Sequence, residues 1–437
     1  MRTLLRLSQW IFVGILAYAP LHILLSTWLG TSFGVLPIAK VAKDIVMLWG
    51  LGLATIVYVS RYRYCKLISD RLIQLIVVYA LLTVGIALAK PTDPDAEILG
   101  IVFNLRFLAM FVYGYMLSRL DGRDWVRTAA IKAVFASAII VLVFGVVQYL
   151  VLPDNALRHL GYARENGVLP AFFIDDKPDL ERIMSTQRDP NSFGSYVLII
   201  IGLAGALWAK RKQYRTLTQG ILLLGLLCLW YTFSRSAWIG SVITILTLYV
   251  LTAGKYRISP GRLKQAGLAA AVLLTVGLSM LYAARDTYFV QNVVFHADES
   301  TTLEDPNELR VRFYQESVDE IATNPLGYGP GTAGLASIRN DVQGTRLNEN
   351  YYLQIATEVG LVGLALFVAI LVVTARRLYI LSRKGNWIAI GLLASFAGLA
   401  FTNLLVHIWA TEAVAYTWWA LAGLLAVAPP KSAKTRT

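Results

Sequence analysis

About twelve runs of apolar residues, each roughly 17–25 residues long, divide this chain at close intervals, and runs of that length constrain the fold more than any other feature. In hydrocarbon a backbone must bond all of its N–H and C=O groups internally, so such runs read as bilayer-crossing helices. They fall at 10–28, 41–59, 72–89, 98–117, 128–152, 192–209, 217–233, 236–253, 266–284, 351–375, 387–409 and 413–427. The expected fold class is an all-α polytopic membrane protein with about twelve transmembrane helices and a large extracytoplasmic helical loop. With 57% hydrophobic and 15% charged residues, the chain is too apolar for a soluble protein of its 437 residues. Residues 1–19 have the basic start and apolar run of a signal sequence, but the run continues without a cleavage site and reads as a retained first helix.

A net charge of +13 raises the question of a nucleic-acid partner, which the distribution of the charge answers. Basic residues cluster in alternate short loops: Arg61, Arg63, Lys66 and Arg71; Arg119, Arg123 and Arg127; Lys210, Arg211, Lys212 and Arg215. The pattern resumes with Lys255, Arg257, Arg262 and Lys264, then Arg376, Arg377, Arg383 and Lys384, and a tail bearing Lys431, Lys434 and Arg436. With both termini cytoplasmic, all of these loops share the cytoplasmic face, as the positive-inside bias requires. The charge sets topology, the partner is the lipid bilayer, and no nucleic acid is expected. Cys65 in a loop and Cys228 inside a span cannot meet, so no disulfide is expected.

The external connections implied by this topology are unequal. Two are long, at about 39 residues (153–191) and about 66 residues (285–350), whereas loops without a function are normally short. The chain thus divides into spans one to nine with the first long loop (1–284), a large external catalytic loop (285–350), and three last spans with a basic tail (351–437). Leu309, Phe313, Val318 and Ile321 recur among charged residues at near-helical spacing, which predicts an amphipathic helix at the membrane surface. Among ionisable residues in spans, Arg106 lies near the middle of its helix and must face either an ion-pair partner or a ligand in a watery cavity. Lys40, Lys43 and Asp44 lie near the outer end of theirs and are expected to reach the interface.

Three separated stretches put arginine on the external side: Arg182 with Arg188 before the sixth span, Arg235 at the turn between the seventh and eighth, and Arg310 with Arg312 in the large loop. A guanidinium is permanently charged and offers a planar fork of donors, so converging arginines can cradle a diphosphate without a metal. Gly327, Tyr328, Gly329, Pro330 and Gly331 form a glycine-rich turn whose backbone could approach an anion or simply reverse the chain. No Lys-Ser/Thr follows, so it is not a nucleotide-binding loop. Glu349, before Asn350 at the mouth of the tenth span, is either a helix-stabilising acidic residue or a proton acceptor held ionised by the helix N-terminus. His22, His159, His296 and His407 lack metal-ligand spacing, and neither a metal nor another cofactor is expected.

In combination these pieces resemble the O-antigen ligase and O-antigen polymerase superfamily of bacterial inner-membrane glycosyltransferases. The matching parts are Arg182 through Pro190 and Asn191; Ser234, Arg235, Ser236, Ala237 and Trp238; Arg310 set fifteen residues before Pro325 with the glycine turn after it; and the run from Asn350 through Glu358 and Gly360 to Gly363. The resemblance implies a metal-independent fold of the C class of glycosyltransferases, an undecaprenyl-diphosphate-linked glycan as donor, and a glycan or lipid-glycan as acceptor. It implies a multi-pass protein of the bacterial inner membrane with its active site on the periplasmic side. Arg235 and Arg310 would match the arginines that neutralise the departing diphosphate, with Glu349 as base. Arg182, Arg188, Arg312, Asn350 and Tyr328 would contact substrate. Glu349 departs from the typical ligase, which carries histidine before this asparagine. That favours a polymerase over a ligase that transfers to lipid A core. A transporter of lipid-linked sugars is the alternative from another class; it would require a repeated half, and none is evident.

Overall fold

The computed structural model describes residues 1–62, 65–120, 124–174, 177–253, 306–342 and 344–426. The ninth expected span (266–284), residues 285–305 of the large loop with His296, and Arg63, Arg123, Lys255, Arg257, Arg262, Lys264, Lys431, Lys434 and Arg436 lie outside the described residues, as does the Lys66 side chain. The helices are α1 (Arg2–Tyr18), α2 (His22–Ser32), α3 (Leu36–Tyr62), α4 (Cys65–Ile68), α5 (Arg71–Ala89), α6 (Pro94–Leu120) and α7 (Trp125–Leu150). After a small hairpin of β1 (Phe173–Ile174) and β2 (Lys177–Glu181) come α8 (Pro190–Lys210), α9 (Arg215–Tyr231), α10 (Arg235–Ala253) and α11 (Pro306–Thr323). The chain continues through α12 (Tyr351–Arg383), α13 (Trp387–Thr402) and α14 (Glu412–Leu425).

Among the described residues, eight helices are long and apolar enough to cross a membrane: Arg2–Ser32, Leu36–Tyr62, Arg71–Ala89, Pro94–Leu120, Trp125–Leu150, Pro190–Lys210, Arg235–Thr252 and Tyr351–Arg383. Three further expected spans are helical but shorter, with 17 residues in α9, 16 in α13 and 14 in α14. The expected span 387–409 ends early because the chain leaves the helix at Thr402. The first span is interrupted at Ala19–Leu21, where Pro20 cannot supply a helical N–H.

Apolar residues all round a helix, with no polar stripe, demand burial on every side. In α8 every residue from Ser192 to Leu207 is buried, and in α14 every residue from Ala413 to Leu425. These two form the centre of the bundle: α14 packs along α6, and α13 packs along both α8 and α10. Glycine permits the closest crossing, because a Cβ at Gly423 would lie 2.1 Å from the carbonyl oxygen of Phe111. Phe107, Phe111, Trp409, Trp418 and Trp419 fill the space around that crossing with edge-to-face, tilted and stacked rings.

Four charged residues of this core form one cluster. Arg106 Nη1 meets Glu412 Oε1 at 2.9 Å, and Lys43 Nζ lies 3.3 Å from the same oxygen and 2.9 Å from Asp44 Oδ2. Arg106 also donates to the Ala410 carbonyl, and Tyr416 donates to Asp44. Two cations and two carboxylates thus balance, which resolves Arg106 as an ion-pair residue. It also corrects the expectation for Lys43 and Asp44: Lys43 is 6% exposed and turns inward, because a carboxylate in the core is a better partner than a distant interface. Lys40 does reach outward, to the Asn166 carbonyl at 2.5 Å.

Removing one carboxylate leaves Arg106 and Lys43 opposed by Asp44 alone. Glu412→Ala is expected to destabilise the purified protein by about 3–5 kcal/mol, the cost of stranding a buried charge. Thermal unfolding in detergent measures it, and the double change Arg106→Met with Glu412→Leu should be milder than the single one.

Candidate active site

The segment between the hairpin and α8 is built to hold one arginine in place. Arg182 N donates to Phe172 O at 2.8 Å and Ile183 N to Tyr231 O at 3.0 Å, which fastens this strand to the end of α9. Asp189 caps α8, accepting Ser192 N at 2.8 Å, and Pro190 starts the helix at a position where a missing N–H costs nothing. The Arg182 guanidinium then donates from Nε to Thr232 O at 3.0 Å and from Nη2 to Asn191 Oδ1 at 3.3 Å. Asn191 Oδ1 also accepts from Ser234 Oγ at 2.8 Å, so one amide ties the Arg182 strand to the start of α10. Phe233 turns the chain with φ 47°, and Arg235 is the first residue of α10.

These contacts converge on a cavity of about 310 Å³. Its polar lining is Arg182, Asn191, Arg235, Ser236 and Arg310; Phe233, Ile239, Leu405 and Val406 supply the apolar part. Arginines from three segments remote in sequence therefore face one space, and the N-terminus of α10 adds its partial positive charge. Burial first, and then the nearby charge of Arg235, pull the Arg182 pKa down to about 10 against the opposing pull of Asp189, so the group is still a cation at neutral pH. Like charges gathered this way favour a bound anion.

Arg310 arrives on α11, whose inner face runs through Phe313, Tyr314, Ser317 and Ile321. Val318, expected on that face, is 55% exposed instead. Tyr314 donates to the Leu404 carbonyl and so docks α11 beside the cavity wall. Arg312 stands about 200° round the helix from Arg310 and points outward, pairing with Glu316 at 3.8 Å.

Glu349 does not line the cavity but is bound to it through Arg310. Nε and Nη2 of Arg310 reach the same Oε2 at 2.7 and 2.6 Å, with both side chains about one-third exposed. The expected stabilisation by the helix N-terminus is corrected here, because Asn350 is the N-cap, accepting Tyr352 N at 2.9 Å and Leu353 N at 3.1 Å. Glu349 precedes that cap in the left-handed region at φ 46°, which directs its carboxylate to Arg310.

The glycine turn proves to be packing. Gly327, Gly329 and Gly331 all have positive φ, and the turn inserts where α12 breaks at Gly360 (φ 74°, ψ 177°). An unbroken helix would pair Leu361 N with Thr357 O. Here Leu361 N bonds Pro325 O at 2.9 Å, while Thr357 O accepts Tyr328 N at 2.8 Å and Glu358 O accepts Gly329 N at 3.1 Å. The fully buried Glu358 carboxylate accepts from Asn104 Nδ2 at 2.7 Å and Gly331 N at 2.9 Å. Tyr328 is taken up in this packing, with the Arg346 guanidinium 5.1 Å over its ring. The structure thus brings Arg182, Arg235 and Arg310 together with Glu349 adjoining. It leaves Arg188, Arg312, Asn350 and Tyr328 out of the cavity wall. Sequence reading missed the roles of Asn191, Ser236 and Glu358, although all three stand within the runs that carried the resemblance.

Residues 220–368 match the O-antigen ligase family. That stretch is about a third of the chain and includes Arg235, Arg310, Glu349 and the Gly360 break, whereas Arg182 and Asn191 precede it. The match supports the O-antigen ligase superfamily, a glycosyltransferase family of the O-antigen ligase/polymerase type. No curated protein matches the chain.

The geometry predicts direct binding of inorganic pyrophosphate by the purified protein. Arg182→Gln and Arg235→Gln should each weaken it by about tenfold or more, the worth of one or two charge-assisted hydrogen bonds, as read by calorimetry at low salt.

Proposed function

We propose that this protein is a metal-independent inverting glycosyltransferase that moves an undecaprenyl-diphosphate-linked glycan onto an acceptor sugar hydroxyl at the external face of the bacterial inner membrane. The observation that carries the reading is the meeting of Arg182, Arg235 and Arg310 in one cavity, with Glu349 bonded to Arg310. The diphosphate occupies the arginine cavity, and its polyprenyl chain leaves between helices into the bilayer. In this reading both termini lie in the cytoplasm, on the face to which the positive-inside bias assigns the basic loops.

The Arg310–Glu349 pair gives the reaction an order. A diphosphate in the cavity competes for the Arg310 guanidinium and releases Glu349 to accept a proton. Glu349 then takes the acceptor hydroxyl proton, the oxygen attacks the anomeric carbon from the face opposite the donor bond, and that carbon–oxygen bond breaks. The electron pair leaves with the lipid diphosphate, whose growing charge is met by guanidinium groups already in place. Glutamate in place of the ligase histidine favours a polymerase, in which the acceptor is itself a glycan; transfer to lipid A core is the second reading.

The test uses purified protein and one lipid-diphosphate-linked repeat unit, with and without a lipid A core acceptor. Arg235→Gln and Arg310→Gln should lower the transfer rate by about 100-fold or more, and Glu349→Gln by about 100- to 10,000-fold, with folding intact. Products that grow by repeats identify a polymerase, and a single capped product identifies a ligase. Transfer at the wild-type rate by Glu349→Gln sinks the assignment of the base.

A further inference from the structure

The arginine cavity holds a neutral residue whose orientation its own hydrogen bonds dictate. Asn191 is the second residue of α8, and Asp189 fixes the backbone around it by accepting from Ser192 N at 2.8 Å and Ser192 Oγ at 2.6 Å. An amide side chain has two unlike ends, an oxygen that only accepts and an NH₂ group that only donates. Asn191 Oδ1 takes Arg182 Nη2 at 3.3 Å and Ser234 Oγ at 2.8 Å. A guanidinium has no lone pair to offer, so a flipped amide would set N–H against N–H.

The hydroxyl on the other side of Oδ1 is committed in the same way. Ser234 is 1% exposed, so water does not compete for its proton. That proton goes to Asn191 Oδ1, and the 3.2 Å contact between the Ser234 and Ser236 hydroxyls must then run from Ser236 to Ser234. Ala237 N also meets Ser234 Oγ as a donor, at 3.4 Å. Donation therefore passes from Ser236 through Ser234 to Asn191 and ends on Oδ1. Asn191 and Arg182 both line the cavity. Arg182 spends Nε on Thr232 O and one N–H of Nη2 on Asn191, which leaves the rest of its fork for the cavity. Guanidinium groups gathered on one wall already repel each other, and a further cation would add to that repulsion, whereas an amide adds donors without charge.

We propose that Asn191 is a further substrate-binding residue, whose Nδ2 donates to an oxygen of the anion held by Arg182 and Arg235, and that Ser234 is the positioning residue that keeps the amide turned that way. The identity of that anion, the diphosphate of a lipid-linked donor, rests on the transferase reading above; the donation itself does not. Ser236 plays a different part. Its 3.2 Å bond to Ser234 is long for two hydroxyls, so an arriving anion can draw the Ser236 proton to itself while the Asn191 amide stays as it is.

The probe is inorganic pyrophosphate, added to the full chain in nanodiscs of zwitterionic lipid. Binding is followed by calorimetry and by the side-chain amide signals of protein labelled with nitrogen-15 asparagine, in which the pair belonging to Asn191 is the one missing from Asn191→Asp. Pyrophosphate is expected to move one proton of that pair downfield, as a hydrogen bond to an anion does, and Asn191→Ala to weaken binding by about tenfold or more. Asn191→Asp keeps an oxygen for Arg182 and Ser234 and suits the first turn of a helix, so its thermal unfolding should match or exceed that of wild type. Its pyrophosphate binding should nevertheless fall at least as far as that of Asn191→Ala. Ser234→Ala should weaken binding by about threefold, and Ser234→Thr, which restores the hydroxyl, should recover it. An Asn191 amide pair unmoved by saturating pyrophosphate, or wild-type affinity in Asn191→Ala, overturns the donation; wild-type affinity in Ser234→Ala overturns the part given to Ser234. Failure of the folded wild-type protein to bind pyrophosphate overturns the anion cavity and this inference with it. Binding with the amide shift, in a protein that transfers no glycan, leaves the donation standing and overturns the transferase reading instead, so the two failures are told apart.

Discussion

The site-bearing end of this bundle is organised by a single buried carboxylate at a broken helix. Glu358 lies where α12 loses its regular hydrogen bonding at Gly360, a break that in a membrane must be repaired by other protein groups. The repair comes from the turn around Gly329, whose N–H groups fill the vacated carbonyls, while the Glu358 side chain gathers Gly331 and Asn104. This joins α12, α6 and the end of α11 into one unit. Arg310 and Glu349, on either side of the turn in sequence, inherit their separation from it.

The bundle treats its charges in two ways. In the core, Lys43, Asp44, Arg106 and Glu412 are matched, and the match specifies how α3, α6 and α14 must come together. At the arginine cavity, cations are collected on one wall and their principal local carboxylate, Glu349, is only half-buried beside them. A half-exposed pair is held by far less than a buried one, because water competes with both partners. That difference separates a contact that keeps its shape from one that a polyanion can take over.

Much of the architecture could be read from apolar run length, which located α5 to α10 and α14 within a few residues but did not show the interruption of the first span at Ala19–Leu21 or the early end of α13. Where it misled, a physical competitor explains the miss. Lys43 reads as an interfacial lysine until Glu412, more than 360 positions away, supplies a partner within the core. Val318 satisfies the loose spacing of an amphipathic helix, but the inner face follows Phe313, Ser317 and Ile321 at regular intervals of four. For the candidate site, arginine chemistry was legible and its convergence was not, because that depends on tertiary placement of Arg182, Arg235 and Arg310. The resemblance made Asn350 a substrate contact, whereas its side-chain oxygen is occupied in capping the start of α12. Asn191 carried no charge to attract notice, yet it bridges two of the arginine-bearing segments.

The pairing of Glu412 with Arg106 and Lys43 has a bearing on how the protein is made. During synthesis α3 and α6 leave the ribosome some three hundred residues before α14, so both cations enter the bilayer with Asp44 as the one carboxylate of the cluster yet made. A nascent chain in that state cannot close its centre, and α14, only 14 residues long and opening with an acidic side chain, gains its stability from the helices already waiting for it. Assembly of the interior is thereby deferred to the end of translation, and a chain halted before Glu412 carries one uncompensated positive charge that membrane quality control can recognise.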